Sequence, residues 1–158
     1  MEVIETVVYS FDELNDQAKE HARDWYRSSL DYPWFAESMD SIRAFVEHFG
    51  AKTNDWSIGE RGRDYIRTDI TQDHFRGRRL KDFSPDHMPT GYCLDCDLWG
   101  TFHAEWKRTA DPMYAFEQAL EAALSAIASD VEYQYTEEAV DESLRINDYR
   151  FTEEGRVF

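Results

Sequence analysis

Met113, Phe116, Leu120, Leu124, Ile127 and Val131 recur at three- and four-residue intervals, a seam that only an α-helix turns to one side. Asp111 and Pro112 start this long helix. Thr136, followed by Glu137 and Glu138, reads as a fresh N-cap, so the helix kinks or restarts there. So long an apolar seam obliges the rest of the chain to supply matching surfaces, and two further stripes do. Phe35, Met39, Ile42, Val46 and Phe49 follow Pro33 and end at Gly50, the residue type that most readily stops a helix. Ala18, Ala22, Trp25 and Tyr26 follow two caps, Ser10 in "SFDE" and then Asn15, and the helix breaks over Leu30 to Pro33.

Strand signals are shorter. Val3 to Tyr9 ("VIETVVY") is rich in β-branched residues and predicts a strand. "WSIGERGRDYIRTDI" (56–70) predicts two short strands about a turn at Gly59 to Gly62, and "YRFTEEGRVF" a terminal hairpin turning at Thr152 to Gly155. Residues 71–90 hold Gly77, Pro85 and Pro89 with little periodicity and predict a loop. Residues 91–108 predict helix only in part. The fold class expected is α+β: a single domain over residues 1–158, a small antiparallel sheet with a C-terminal hairpin, packed by four to five helices.

The chain has 158 residues, enough to bury a core, and 15% of them are aromatic, which separates it from a disordered acidic chain. No apolar run approaches the length of a membrane span and no signal-peptide pattern opens the sequence. Cys93 and Cys96 are the only cysteines, which fits the reducing cytoplasm of a host cell rather than a disulfide scaffold. The formal net charge is −16, carried mostly by the two ends. Such a field repels nucleic acid and membrane surfaces and favours a basic partner. Arg outnumbers Lys 13 to 4, however, and a GC-rich genome or a salt-adapted source would give similar acidity without any partner.

Cys93-x-x-Cys96 is the obvious metal or redox candidate, with His87 and His103 near enough in sequence to complete four zinc ligands. The spacing is not that of a standard finger, there is no second cysteine pair, and Asp95 and Asp97 disfavour a reactive thiolate. Packing beside Tyr92, Leu98 and Trp99 is the plainer reading of the thiols. No phosphate loop, nucleophile elbow or paired histidine motif is present, so no catalytic residue, cofactor or resident metal is expected. Arg76, Arg78, Arg79 and Lys81 form the only basic cluster. In so acidic a chain their expected partner is carboxylate, within the fold or on a second copy in a homodimer.

"SDVEYQYTEEAVDES" (129–143) carries six carboxylates and no Lys or Arg. Glu137 and Asp141, and Glu138 and Glu142, are four apart, where like charges cost about 0.2–0.5 kcal/mol per pair. The dipole of a helix starting after Thr136 accounts for Glu137 and Glu138 but not for Asp141 and Glu142. Tyr133 and Tyr135 add contact area of the kind interfaces use. The candidate partner-binding residues are therefore Asp130, Glu132, Tyr133, Tyr135, Glu137, Glu138, Asp141 and Glu142. Asp16, Glu20 and Asp24 on the first helix form a second candidate face. A solvated helix face is the competing reading.

Three stretches carry a family resemblance: "VVYSFDELNDQAKEHARDWYR", "WSIGERGRDYIRTDI" and "DVEYQYTEEAVDESLRINDYRFTEEGRVF". Together they resemble a group of small proteins encoded by phages, prophages and plasmids, some labelled antitoxin of a toxin–antitoxin stability system. The resemblance is weakest across residues 71–110 and supplies no catalytic residues. It implies a mobile-element protein concerned with host defence or element maintenance. By analogy with anti-CRISPR proteins, the expectation is a non-enzymatic inhibitor of a basic, nucleic-acid-handling protein: a CRISPR effector, a restriction complex or a cognate toxin. An antitoxin role, and a small zinc-binding or catalytic protein using Cys93 and Cys96, are the alternatives.

Overall fold

The computed structural model describes residues 5–59 and 63–158. The described residues form an α+β fold of five α-helices, α1 (Asp16–Ser28), α2 (Phe35–His48), α3 (Leu94–Thr109), α4 (Pro112–Gln134) and α5 (Glu137–Ile146), with one two-stranded antiparallel sheet. Its strands are β1 (Thr53–Ser57) and β2 (Tyr65–Thr68), paired Trp56 to Ile66 and Asp55 to Arg67, with an irregularity between Thr53 and Asp55. The chain divides into two compact units: residues up to Tyr32 with Val131–Phe158, and Pro33–Asp130. The division falls within α4, between Asp130 and Val131.

In the first unit, Ser10 opens a short 3-10 turn, Phe11–Glu13, and the Glu13 carboxylate accepts from the Ser10 amide at 2.7 Å and its hydroxyl at 2.8 Å. Asn15 caps α1 by accepting from the Ala18 amide at 2.9 Å. Ala18 and Ala22 are buried against Val140 and Leu144 of α5, and Phe11, Leu14 and Phe151 complete the core. Two small residues on α1 let the helices approach closely. The terminal turn packs on the same helix: a Cβ on Gly155, which has φ +82°, would stand 2.0 Å from the Ala18 carbonyl oxygen. Only glycine satisfies both the backbone angle and that contact.

Among the described residues the expected N-terminal strand is not formed. Of its described residues only Tyr9 pairs, in a single bridge to Phe151, while Val3 and Ile4 lie outside the described residues. Val7 is 71% exposed, so the β-branched run has no apolar surface to bury against. The terminal turn does form, with the Thr152 amide donating to Arg156 at 2.8 Å, and its pairing is a single Phe151–Val157 bridge.

In the second unit, α2 packs on α3. Met39, Ile42, Val46 and Phe49 of the expected stripe are buried, joined by Phe45, and Gly50 follows at φ +81°. Pro33 precedes the Trp34 cap rather than sitting inside the helix. Phe45 and Phe49 meet Trp99, Phe102 and Phe116 with ring centroids 4.9–5.9 Å apart. Residues 91–108, expected to be helical in part, are helix from Leu94, because Leu94, Leu98, Trp99 and Phe102 form a seam facing this aromatic core. Residues 71–90 hold only two short 3-10 turns, Gln72–Phe75 and Leu80–Asp82, pinned by buried Phe75 and Phe83. Of the turn placed at Gly59 to Gly62, Gly59 has φ +73° and residues 60–62 lie outside the described residues.

Candidate protein-interaction site

Thr136 divides the acidic stretch as a cap does: its hydroxyl accepts from the Ala139 amide at 3.3 Å and donates to the Tyr133 carbonyl at 2.7 Å. Helix α5 then buries Ala139, Val140 and Leu144. The period of 3.6 turns Asp141, next to Val140, toward α1, while Glu138 and Glu142 remain exposed.

Asp141 meets Arg23 there. The guanidinium donates from Nε to Oδ1 at 2.7 Å and from Nη2 to Oδ2 at 2.8 Å, a two-point fork between side chains only 12% and 13% exposed. Glu137 adds a third contact to Nη2 at 3.0 Å, and Glu20 one to Nη1 at 3.0 Å. The Asp141 hydrogen bond, foremost, raises the guanidinium pKa against the opposing effect of burial. Arg23 also lies over the Phe11 ring, 5.6 Å from its centroid, as does Arg145 at 5.4 Å. Arg145 donates to Asp12 at 2.8 Å. Asp141, which helix-start electrostatics left unexplained, is therefore part of the α1–α5 packing.

The other predicted residues sort by the same criterion. Glu20 also meets Arg27 at 3.3 Å, and Asp24 meets Arg27 at 3.6 Å, so much of the second candidate face is paired within its own unit. Tyr133 and Tyr135 are 47% and 43% exposed, and the Tyr135 hydroxyl donates to the Leu30 carbonyl at 3.4 Å. Asp130 belongs to the second unit, where its charge and, more strongly, burial raise the pKa of Asp97. Among the described residues, Asp16, Glu132, Glu138 and Glu142 are exposed and make no ion pair within 4.0 Å. By sequence the first unit holds sixteen acids against six bases, a formal −10.

The basic cluster is exposed and partly paired locally, Arg76 with Asp73 at 2.6 Å and Arg79 with Asp82 at 3.4 Å, while Arg78 lies over the Phe49 ring. Cys93 and Cys96 are free and exposed. His87 packs its ring on Trp99 at 4.5 Å, and among the described residues no three His, Cys, Asp or Glu side chains are grouped to hold a metal ion. No described helix is long and apolar enough to cross a membrane.

The structural roles of two polar residues, Arg23 and Asp95, are not read from the sequence patterns above, which weigh Asp95 only for its effect on the thiols. Arg23 pairs with a residue 118 positions away, which no local pattern signals. Asp95 is fully buried and accepts from the Thr90 amide, the Gly91 amide and the Thr90 hydroxyl, each at 2.9 Å. Its signal was readable as a first-turn carboxylate reaching back to loop amides. No protein-family model, curated protein or solved structure matches the chain.

Proposed function

We propose that the chain is a non-enzymatic interaction protein of a phage or other mobile element, acting in the host cytoplasm. It binds and inhibits a basic, nucleic-acid-handling protein of the CRISPR-effector, restriction-complex or toxin kind. The mobile-element context rests on the resemblance of the three quoted stretches. The observation that supports the binding mode is the outward pair Glu138 and Glu142 on α5, one helical turn apart and without ion partners among the described residues, in a unit of formal charge −10. A helix shaped by stability alone would interleave Lys at those positions, since like charges at this spacing repel.

A basic groove that ordinarily holds phosphates offers this array the complementary charge, and the long-range field of the acidic unit speeds encounter. Tyr133 and Tyr135 supply amphipathic area with few rotatable bonds beside the carboxylates. The test uses the Glu132→Gln, Glu138→Gln, Glu142→Gln variant, which leaves the Arg23–Asp141 pair intact. Immobilised wild-type chain is expected to retain a basic nucleic-acid-binding protein from bacterial lysate that the variant releases. Equal retention of the same proteins by both overturns the reading.

A further inference from the structure

The Cys93-x-x-Cys96 pair has no part in the acidic face, and the structure gives it a third sulfur. The Cys96 thiol lies 3.6 Å from the Met88 thioether. Two sulfurs bound about 2.3 Å from one metal stand roughly 3.8–4.0 Å apart at tetrahedral to trigonal angles, so these two are within a few tenths of an ångström of sharing an ion. Cys93 already has helical angles, φ −56° and ψ −34°, at the start of α3. Residues three apart on a helix share a face, with Cβ atoms about 5–6 Å apart, so Cys93 and Cys96 stand together at the start of α3, the face whose Cys96 thiol Met88 meets. All three side chains are exposed.

Asp95 accounts for the arrangement. It projects from the same turn into the interior, where it holds the amides of Thr90 and Gly91, and the Thr90 hydroxyl also meets Ser41 at 2.9 Å. The segment that carries Met88 is thereby clamped to the helix that carries the cysteines. His87, the nearest imidazole in sequence, is turned onto Trp99. Among the described residues no His, Asp or Glu side chain joins the two thiols as a third member of a metal-holding group, so the donor set is two thiols and a thioether, soft and three-coordinate rather than tetrahedral.

We propose that Cys93, Cys96 and Met88 form a binding site for a soft monovalent cation, Cu(I). Each thiol that takes the metal gives its proton to solvent, so binding tightens with rising pH. The test is anaerobic titration of the reduced chain with Cu(I) held by a chromophoric chelator. Wild type is expected to withdraw one equivalent, and Cys93→Ser with Cys96→Ser to withdraw none. Met88→Leu, at an exposed site that leaves the fold intact, is expected to bind on the order of tenfold more weakly. Zn(II), lacking a fourth protein ligand, is expected to compete poorly. Copper retention by the double serine variant, or equal affinity in Met88→Leu and wild type, overturns the site.

Discussion

Replacing Asp141 with Ala separates the carboxylates that hold the fold from those that face outward. Asp141 and Arg23 are 13% and 12% exposed, so the substitution strands a largely buried guanidinium rather than a solvated one. Removing one partner of a buried pair costs about 3–5 kcal/mol when nothing replaces it. Here Glu20 and Glu137 still hold Nη1 and Nη2, but both are more than half exposed and Nε is left without an acceptor. A loss of about 2–3 kcal/mol follows, one or two charge-assisted hydrogen bonds' worth. Urea unfolding followed by circular dichroism reads this as a midpoint lowered on the order of 1 M. In the same assay Glu138→Gln with Glu142→Gln is expected to be neutral or to stabilise by about 0.2–0.5 kcal/mol, because it removes a like-charge pair. Arg23→Met with Asp141→Leu is expected to recover most of the loss, since no charge is left buried. Asp141→Ala as stable as wild type would refute the assignment of this carboxylate to packing.

Gly155→Ala forces a Cβ into the Ala18 carbonyl at a positive φ, and should lower stability by about 3 kcal/mol or more and expose the terminal turn to protease. Asp95→Ala orphans two loop amides and should cost about 3 kcal/mol or more, with faster hydrogen exchange at Thr90 and Gly91. His48 packs on Trp99 at 4.8 Å and on His87 at 5.1 Å, and burial, then His87 and Arg78, lower its pKa. A histidine harder to protonate folded than unfolded leaves stability unchanged above about pH 6.5 and reduces it as pH falls below that value. The loss should stay well under about 1.4 kcal/mol per pH unit because the ring is partly exposed. Comparison of melting curves between wild type and His48→Gln checks it: the variant should lose less stability between pH 7.5 and pH 5.5.

Helix positions were legible because periodicity and caps agree over long stretches. Asn15, Thr136 and Gly50 stand where their chemistry places helix ends. The N-terminal strand was misread because β-propensity describes a fit to a half-buried pleated surface, and Val7 meets none. Helix α3 was blurred because Gly100 and Thr101 lower helix propensity at its centre, although the seam positions Trp99 and Phe102 on either side are fully buried. At the candidate site, the sequence distinguished Glu137 and Glu138 as helix-start charges but treated Asp141 and Glu142 alike. Only tertiary pairing separates them, since Asp141 finds Arg23 across the α1–α5 contact while Glu142, one residue on, faces outward. Charge patterning along a chain reports which carboxylates crowd their neighbours, not which meet a distant guanidinium.

The salt dependence of partner binding tests the central claim most directly. The affinity of the captured basic protein, measured from about 50 to 500 mM salt, should fall steeply for the wild-type chain. For the Glu132→Gln, Glu138→Gln, Glu142→Gln variant it should be weaker at low salt and nearly flat. The same slope and the same affinity in both would contradict the assignment of binding to these outward carboxylates.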